Sequence, residues 1–203
     1  MTYLYGASGH AKVIIEILEG THKKIGGLVD ENSAITSLMV YPVVEKVPGN
    51  FNKETDSFII SVGANAIRKK LVAGLKLPFD IAIHPSANVS KSAKIGEGTV
   101  IMAGVSINAD AKIGKHTILN TNCSVDHDCV IGDFVHLSPN VALAGDVTVE
   151  EGAHIGIGAC VIQGIKIGKW ATIGAGTVVI KDIPAFAVVV GNPGEIIKYH
   201  KAP

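Results

Sequence analysis

The sequence predicts a mainly β protein: a parallel β-helix built on a six-residue repeat, preceded by a small Rossmann-like α/β domain. Three features carry this reading. Stepping six residues at a time from Ile83 to Val179 lands on Ile, Leu or Val at all 17 positions, although those residues make up only 59 of 203. Four residues after each of them comes a small or short side chain in 15 of 17 cases, among them Ala93, Thr99, Ala111, Cys123, Val141, Ala159 and Thr177. Before the repeat, the first 80 or so residues alternate apolar runs with glycine turns and helical patterns. A period of six fits neither the helix nor the alternating strand, and short fixed repeats of this kind mark a parallel β-helix. Each hexad then forms one flat side of a triangular prism, and three hexads complete a coil. Residues 18 apart therefore stack at roughly the 4.8 Å strand spacing.

In chain order, residues 3–5 read as the end of a short strand, followed by the turn Gly6-Ala7-Ser8-Gly9-His10 and a helix carrying Val13, Ile14, Ile17 and Leu18. A glycine turn that opens a helix presents backbone N–H groups to anions. The dinucleotide pattern G-x-G-x-x-G is absent. A second strand spans Ile25 to Val29 and ends at Asp30-Glu31. A third spans Phe58 to Val62 and leads through Gly63-Ala64-Asn65 into a helix with Arg68, Lys69 and Lys70. Ligands of such parallel sheets bind beyond the carboxyl ends of the strands, where Gly6 to His10, Asp30 and Gly63 to Arg68 all lie. Pro42 and Pro48-Gly49-Asn50 mark loops.

The chain divides into an α/β domain over 1–80, a β-helix over 83–184 and a C-terminal cap over 185–203 that covers the open end of the solenoid. Glycine follows the aliphatic residue in six hexads (Gly96, Gly114, Gly132, Gly156, Gly168, Gly174), which suggests a turn needing positive φ.

Composition narrows the function. Lysine plus arginine equals aspartate plus glutamate at 18 each, which gives no electrostatic case for nucleic acid or an anionic membrane. No apolar run is long enough for membrane insertion. The opening residues do not read as a signal peptide, and the three cysteines (Cys123, Cys129, Cys160) suit a reduced, cytoplasmic protein.

His127 lies two places after the inward Val125, which puts its side chain at the rim of the prism. Gly145 comes one coil later, Asp128 lies beneath Asp146, and His136 beneath His154. A proton acceptor and a backbone amide on adjacent coils are what acyl transfer requires. A zinc site of the γ-carbonic-anhydrase kind needs a H-x4-H pair, and no two of the eight histidines have that spacing, so no metal is expected. A scaffold without catalysis is the other class of reading.

The segments Tyr5-Gly6-Ala7-Ser8-Gly9-His10, Asp30-Glu31, Val62-Gly63-Ala64-Asn65 with Arg68, and Asp126-His127-Asp128-Cys129-Val130-Ile131-Gly132 together resemble bacterial sugar acetyltransferases. These are the relatives of the enzymes that make UDP-diacetylbacillosamine or O-acetylate sialic acid. The resemblance implies a left-handed coil, a homotrimer and acetyl-CoA as cosubstrate. It makes His127 the general base, Asp128 its modulator, and His136 a second histidine near the acetyl group. Gly145, Ile157 and Ala175 would line the acetyl-CoA channel between neighbouring β-helices. Gly6, Ser8, Gly9, His10, Asp30, Gly63, Asn65 and Arg68 would surround a nucleotide-sugar substrate. The implied reaction is N-acetylation of a UDP-linked 4-amino-4,6-dideoxy sugar, with O-acetylation of a sialic acid or other sugar hydroxyl as the alternative. Asp30, Glu31 and Arg68 leave uridine, guanosine and thymidine nucleotides open.

Overall fold

A computed structural model describes residues 1–201. The N-terminal unit contains β1 (Thr2–Tyr5), α1 (Gly9–Gly20), β2 (Ile25–Val29), β3 (Ser37–Leu38), β4 (Tyr41–Val44), β5 (Ser57–Ile60) and α2 (Asn65–Leu75). Its sheet runs in the order β3-β4-β2-β1-β5. β4, β2, β1 and β5 are parallel, and β3 is antiparallel to β4. Pro42 lies inside β4, opposite Ser37, rather than in a loop. The sheet tolerates it because β4 pairs with β2 only through Val43 and Val44, so Pro42 precedes that ladder and its missing N–H leaves it intact.

Helix α1 is apolar over more than one stripe because it is buried on two sides. Ile14, Ile15, Ile17 and Leu18 are fully buried in a cluster that holds Leu4, Leu28 and Ile59 of the sheet and also Val100, Met102 and Ile118 of the β-helix. The opposite face of the sheet packs Tyr3, Phe58 and Ile60 against Leu71 and Leu75 of α2. Tyr3 and Phe58 are stacked with centroids 5.4 Å apart.

The β-helix consists of seventeen two-residue strands from Ala82–Ile83 to Val178–Val179. They form three parallel sheets, one per side of the prism, and both helices precede them. The register is i to i+18 throughout, as in Ile107↔Val125↔Leu143. Every aliphatic residue of the hexad series from Ile101 to Val179 is buried. In the first coil, Ile83 is 36% exposed, because no coil lies below it.

The six glycines that follow the aliphatic residues do not adopt positive φ, which corrects the reason expected for them. Each is needed because the next coil comes too close: a Cβ on Gly96 would lie 2.6 Å from the carbonyl carbon of Gly114, and one on Gly132 2.7 Å from the N of Glu151. The left-handed residues stand two places further on, at the corners. They include Asp110, Asp128 and Asp146 in one column and Gly98, His116, Phe134, Gly152, Trp170 and Phe186 in another. Asp, Asn and Gly tolerate this conformation, which gives Asp128 a structural reason to be aspartate rather than glutamate.

The first face (strands Ala82–Ile83, Val100–Ile101, Ile118–Leu119, His136–Leu137, His154–Ile155 and Thr172–Ile173) carries the α/β unit on its outer side. The second face presents small side chains outward: Ser106, Ser124, Ala142, Cys160 and Val178. The third presents Lys94, Lys112, Val130, Thr148 and Lys166. After the coils, Ala187–Val190 continues the first face and Glu195–Tyr199 pairs antiparallel to it. That last strand extends the sheet with all five residues exposed, while Ala187 and Val189 fill the core of the open end. Ala202 and Pro203 of the expected cap lie outside the described residues.

Candidate active site

His127 sits at the corner between the second and third faces, where the coil leaves Ser124–Val125 and turns towards Val130–Ile131. Its Nδ1 is 2.8 Å from Asp128 Oδ2. Its backbone N–H donates to Asp126 Oδ1 at 2.8 Å, and Asn108 Nδ2 donates to the same oxygen at 2.7 Å. With Asp128 accepting from Nδ1–H, Nε2 carries the free lone pair. The Asp128 hydrogen bond, then the Asp126 charge, hold the His127 pKa above its ordinary value. The ring lies over Gly145 on the next coil, where a Cβ would approach Cε1 to 2.6 Å and Nε2 to 2.7 Å. Gly145 is thus the seat of the imidazole, and among the described residues its N–H donates to no backbone carbonyl.

A methyl group at Gly145 would displace the His127 imidazole. We expect Gly145→Ala to lower kcat by roughly 10-fold or more, since small misplacements of a reacting group are costly. Fold and melting temperature should be little changed, as read by circular dichroism beside the steady-state assay. A fall in acetyl-CoA affinity alone, with kcat intact, would refute this role.

A second group of residues lies where the α/β unit meets the first face. Gly6 has φ +110, and a Cβ there would meet Val62 Cγ2 at 2.9 Å and Ser61 O at 3.2 Å. Ser8 and Gly9 are exposed at the start of α1, and the Ser8 side chain makes no capping hydrogen bond, so the first turn of the helix is open to an anion. Asp30 ties this loop down: its Oδ2 accepts from Ala7 N at 2.8 Å and its Oδ1 from Asn32 N at 2.9 Å. His10 Nε2 is buried without a hydrogen-bond partner among the described residues. Burial, then the Arg68 charge, push the His10 pKa down to about 4.

Arg68, which the resemblance places around the nucleotide, has its guanidinium engaged by the protein itself. It is 1% exposed. Its Nε donates to His116 O at 2.8 Å, Nη1 to Val62 O and Gly63 O at 3.0 Å each, and Nη2 to Asn65 Oδ1 and Phe134 O at 2.9 Å. The guanidinium is saturated and bolts α2 to the β-helix. The Asn65 amide is committed in the same way, donating to Gly152 O at 3.1 Å and Ala153 O at 3.2 Å.

His136 and His154 stack on the first face with centroids 4.9 Å apart, as the count of 18 predicts. Their Nε2 atoms meet Asn120 Nδ2 at 3.2 Å and Ser138 Oγ at 2.9 Å. Burial, then the neighbouring His154, push the His136 pKa down to about 3, so His136 is a neutral hydrogen-bonding group near pH 7. A pocket of about 630 Å³ opens between this pair and the start of α2, with Trp170 and Phe186 on its wall. Sequence reasoning did not single out those two rings, although stepping by 18 through the left-handed corner positions from Gly98 reaches Trp170; Phe186 follows 16 residues later, where the coil ends. Ile157 and Ala175 are exposed at a third place, the corner between the first and second faces.

Within the single chain, then, the implied site residues fall into three regions. His127 and Gly145 stand at the edge opposite the first face. His10, Gly63 and His136 lie at the interdomain seam, and Ile157 and Ala175 at the corner beside it.

Comparison with known proteins gives two family matches, the PglD N-terminal domain over residues 2–75 and the bacterial transferase hexapeptide (six repeats) over residues 92–127. PerB from Caulobacter crescentus, solved in complex with CoA and GDP-perosamine, is 39% identical with a TM-score of 0.89, the match covering 97% of each chain. The chain belongs to the hexapeptide-repeat sugar N-acetyltransferases. A further member, the acetyltransferase domain of PglB from Neisseria gonorrhoeae in complex with acetyl coenzyme A, is 35% identical with a TM-score of 0.89, covering 97% of this chain and 98% of that one. The UDP-N-acetylbacillosamine N-acetyltransferase of Bacillus subtilis (strain 168) is 61% identical over 49 residues. That match spans 23% of each sequence. Membership of this acetyltransferase family fits the left-handed coil, the hexad register and the α/β unit docked on one face.

Proposed function

We propose that the protein transfers acetyl from acetyl-CoA to the primary amine of a nucleotide-linked amino sugar, by direct attack with His127 as general base. The observation that carries this is the His127 imidazole, held through Nδ1 by Asp128 with Nε2 open above Gly145. The sugar amine gives a proton to Nε2 as its nitrogen attacks the thioester carbonyl, and the oxyanion is stabilised by the Gly145 N–H. Collapse breaks the carbon–sulfur bond, and the imidazolium returns the proton to the departing thiolate. No acyl-enzyme is required because the thioester is already activated. Cys129, the nearest thiol in sequence, is buried.

The acceptor is a 4-amino-4,6-dideoxy sugar carried on a nucleoside diphosphate, UDP by the sequence-based expectation, used in the cytoplasm for bacterial surface glycan or glycoprotein synthesis. The diphosphate meets Gly6 to Gly9, and His10 faces the sugar. A panel of UDP-, GDP- and dTDP-linked amino sugars and free sialic acid, offered with acetyl-CoA and read by thiol release, tests this. Turnover of free sialic acid alone would replace N-acetylation with O-acetylation, and no turnover of any would sink the transferase reading.

A homotrimer completes the site. The second face is lined by small residues and flanked by Ile157, Ile162 and Ile180, which are 57%, 40% and 49% exposed. Its composition suits burial against another copy. If this face lines a threefold axis, its two edges meet in the ring, as cyclic closure demands. His127 and Gly145 of one protomer then approach Ile157, Ala175 and His136 of the next, and acetyl-CoA lies between. The His127 side chain is 60% exposed in the single chain, so the water-excluding wall has to come from such a neighbour. Light scattering is expected to give three times the protomer mass at micromolar concentration, and Ala142→Glu to dissociate the trimer and abolish turnover. A fully active monomer would contradict the shared site.

A further inference from the structure

The seam between the α/β unit and the first face buries a positive charge that no carboxylate neutralises. Arg68 donates to backbone carbonyls and to the Asn65 amide oxygen, and it enters no ion pair among the described residues. Three imidazoles stand within its field: His10 in the first turn of α1, His116 at the corner between the third and first faces, and His136 on the first face. None of the three is paired with a carboxylate among the described residues, in contrast to His127 with Asp128.

The contacts of each ring suit its neutral form. His116 is 2% exposed. It is wedged between Phe79, edge-on with centroids 4.5 Å apart, and Phe134, stacked at 5.3 Å, and its own carbonyl accepts from Arg68 Nε at 2.8 Å. Nδ1 of His116 and Nε2 of His10 are buried without a hydrogen-bond partner among the described residues. For His136 the protonation state follows from Asn120, whose Oδ1 accepts from Thr121 N at 2.8 Å. Asn120 Nδ2 is therefore the donor, and His136 Nε2 accepts from it at 3.2 Å. A proton on that nitrogen would set two donors against each other, 4.9 Å from the stacked His154 ring. Of the charged groups facing His116, Glu97 and Asp133 favour the imidazolium, while Arg68 and Lys115 oppose it. His10 faces Arg68, and His136 faces His154, Arg68 and His10. Burial outweighs the rest, holding the His116 and His10 pKa values at about 4 and that of His136 at about 3.

We infer that this seam is an acid-sensitive latch: protonation of His10, His116 and His136 beside the buried Arg68 cation releases α2 from the β-helix while the coils stay folded. The latch does not depend on the transferase reading. The core of the coils is aliphatic apart from two thiols whose pKa values burial raises, so acid leaves it intact. A histidine held neutral in the closed seam returns to about 6.5 once the seam opens. Closure is then fully favoured above about pH 6.5 and is lost as pH falls below that value. Each ring makes opening roughly tenfold more favourable per pH unit in this window, and three together up to roughly a thousandfold. His127 stands away from the seam with its pKa raised, so its titration lies above this window.

Trp170, the single tryptophan of the chain, reports on the latch. Lys69 of α2 lies over its ring, 5.4 Å from the centroid, so release of α2 changes its emission. Fluorescence of the intact protein is followed from about pH 8 to about pH 4.5 beside far-UV circular dichroism. The expected result is a reversible transition below about pH 6.5 that takes up about two to three protons, with the β-sheet signal retained. His116→Phe should move the transition to lower pH and reduce the uptake by about one proton. Phenylalanine already stands on the next rung of that left-handed column, at Phe134, so the backbone accepts it. Should that variant fail to fold, His10→Gln is expected to give the same shift. A one-proton change would overturn the inference, because His200, on the wall of the same pocket as Trp170, can quench the ring by itself. It would be overturned equally by no transition in the wild type, by loss of the sheet signal in the same step, or by an unmoved midpoint in the variant that folds.

Discussion

His127→Ala is expected to lower turnover by roughly 10²–10⁴-fold, the usual cost of losing a positioned general base, with little change in acetyl-CoA affinity. The imidazole projects from a corner rather than filling a core, so the variant should fold normally. A pH profile adds a readout that a structural role would not move. The base must be neutral to accept a proton, so the rate falls as pH drops through the His127 pKa. That pKa is raised, first by the Asp128 hydrogen bond and then by Asp126, which places the acidic limb above the ordinary histidine value of about 6.5. Asp128→Asn removes the largest cause and should move the limb to lower pH. His136→Ala should cost less, because a neutral histidine on the first face contributes positioning. Near-normal turnover in His127→Ala at neutral pH would end the assignment and make His10 or His136 the candidate base.

Arg68→Ala is expected to be the most destabilising single change outside the β-helix core. Truncation removes donors from the carbonyls of His116, Phe134, Val62 and Gly63 at once, at a site where the Arg68 side chain itself is buried. Leaving even two or three such acceptors unpaired costs on the order of 3 kcal/mol or more. For a chain of this length that lowers the melting temperature by roughly 6–12 °C. Arg68→Lys should recover little, since an ammonium cannot reproduce the planar fork. Because the Arg68 hydrogen bonds join α2 to the β-helix, the loss should appear as lower melting temperature and a weaker seam between the two units. A variant with wild-type stability but lost nucleotide binding would return Arg68 to the substrate site.

The contrast between these two residues shows where sequence reasoning holds. The His127 and Gly145 neighbourhood is legible because the coil is periodic, so counting 18 residues names the residue one rung above. The same count finds the His136 and His154 stack, now seen at 4.9 Å. For Arg68 no such count exists. Its partners lie 48 and 66 residues away in the chain, and only the docking of α2 against the coil brings them within reach. The glycines after the hexad aliphatics were visible as a pattern, but their cause is the approach of the next coil rather than turn conformation, and that is a matter of distances in space.

By itself, the sequence determined the β-helix, its register, the burial of its hexad residues and the placing of a histidine at a rim one rung from a glycine, because a six-residue period ties each of these to position in the chain. It also determined the α/β character of the first 80 or so residues, through strand, glycine turn and helix patterns that are local. Only the tertiary structure decided that the α/β unit lies on the first face, that Arg68 and Asn65 are consumed in holding it there, and that His127 stands on the edge furthest from His10 and His136. Those outcomes depend on how two non-repeating surfaces fit, and no spacing along the chain encodes that fit.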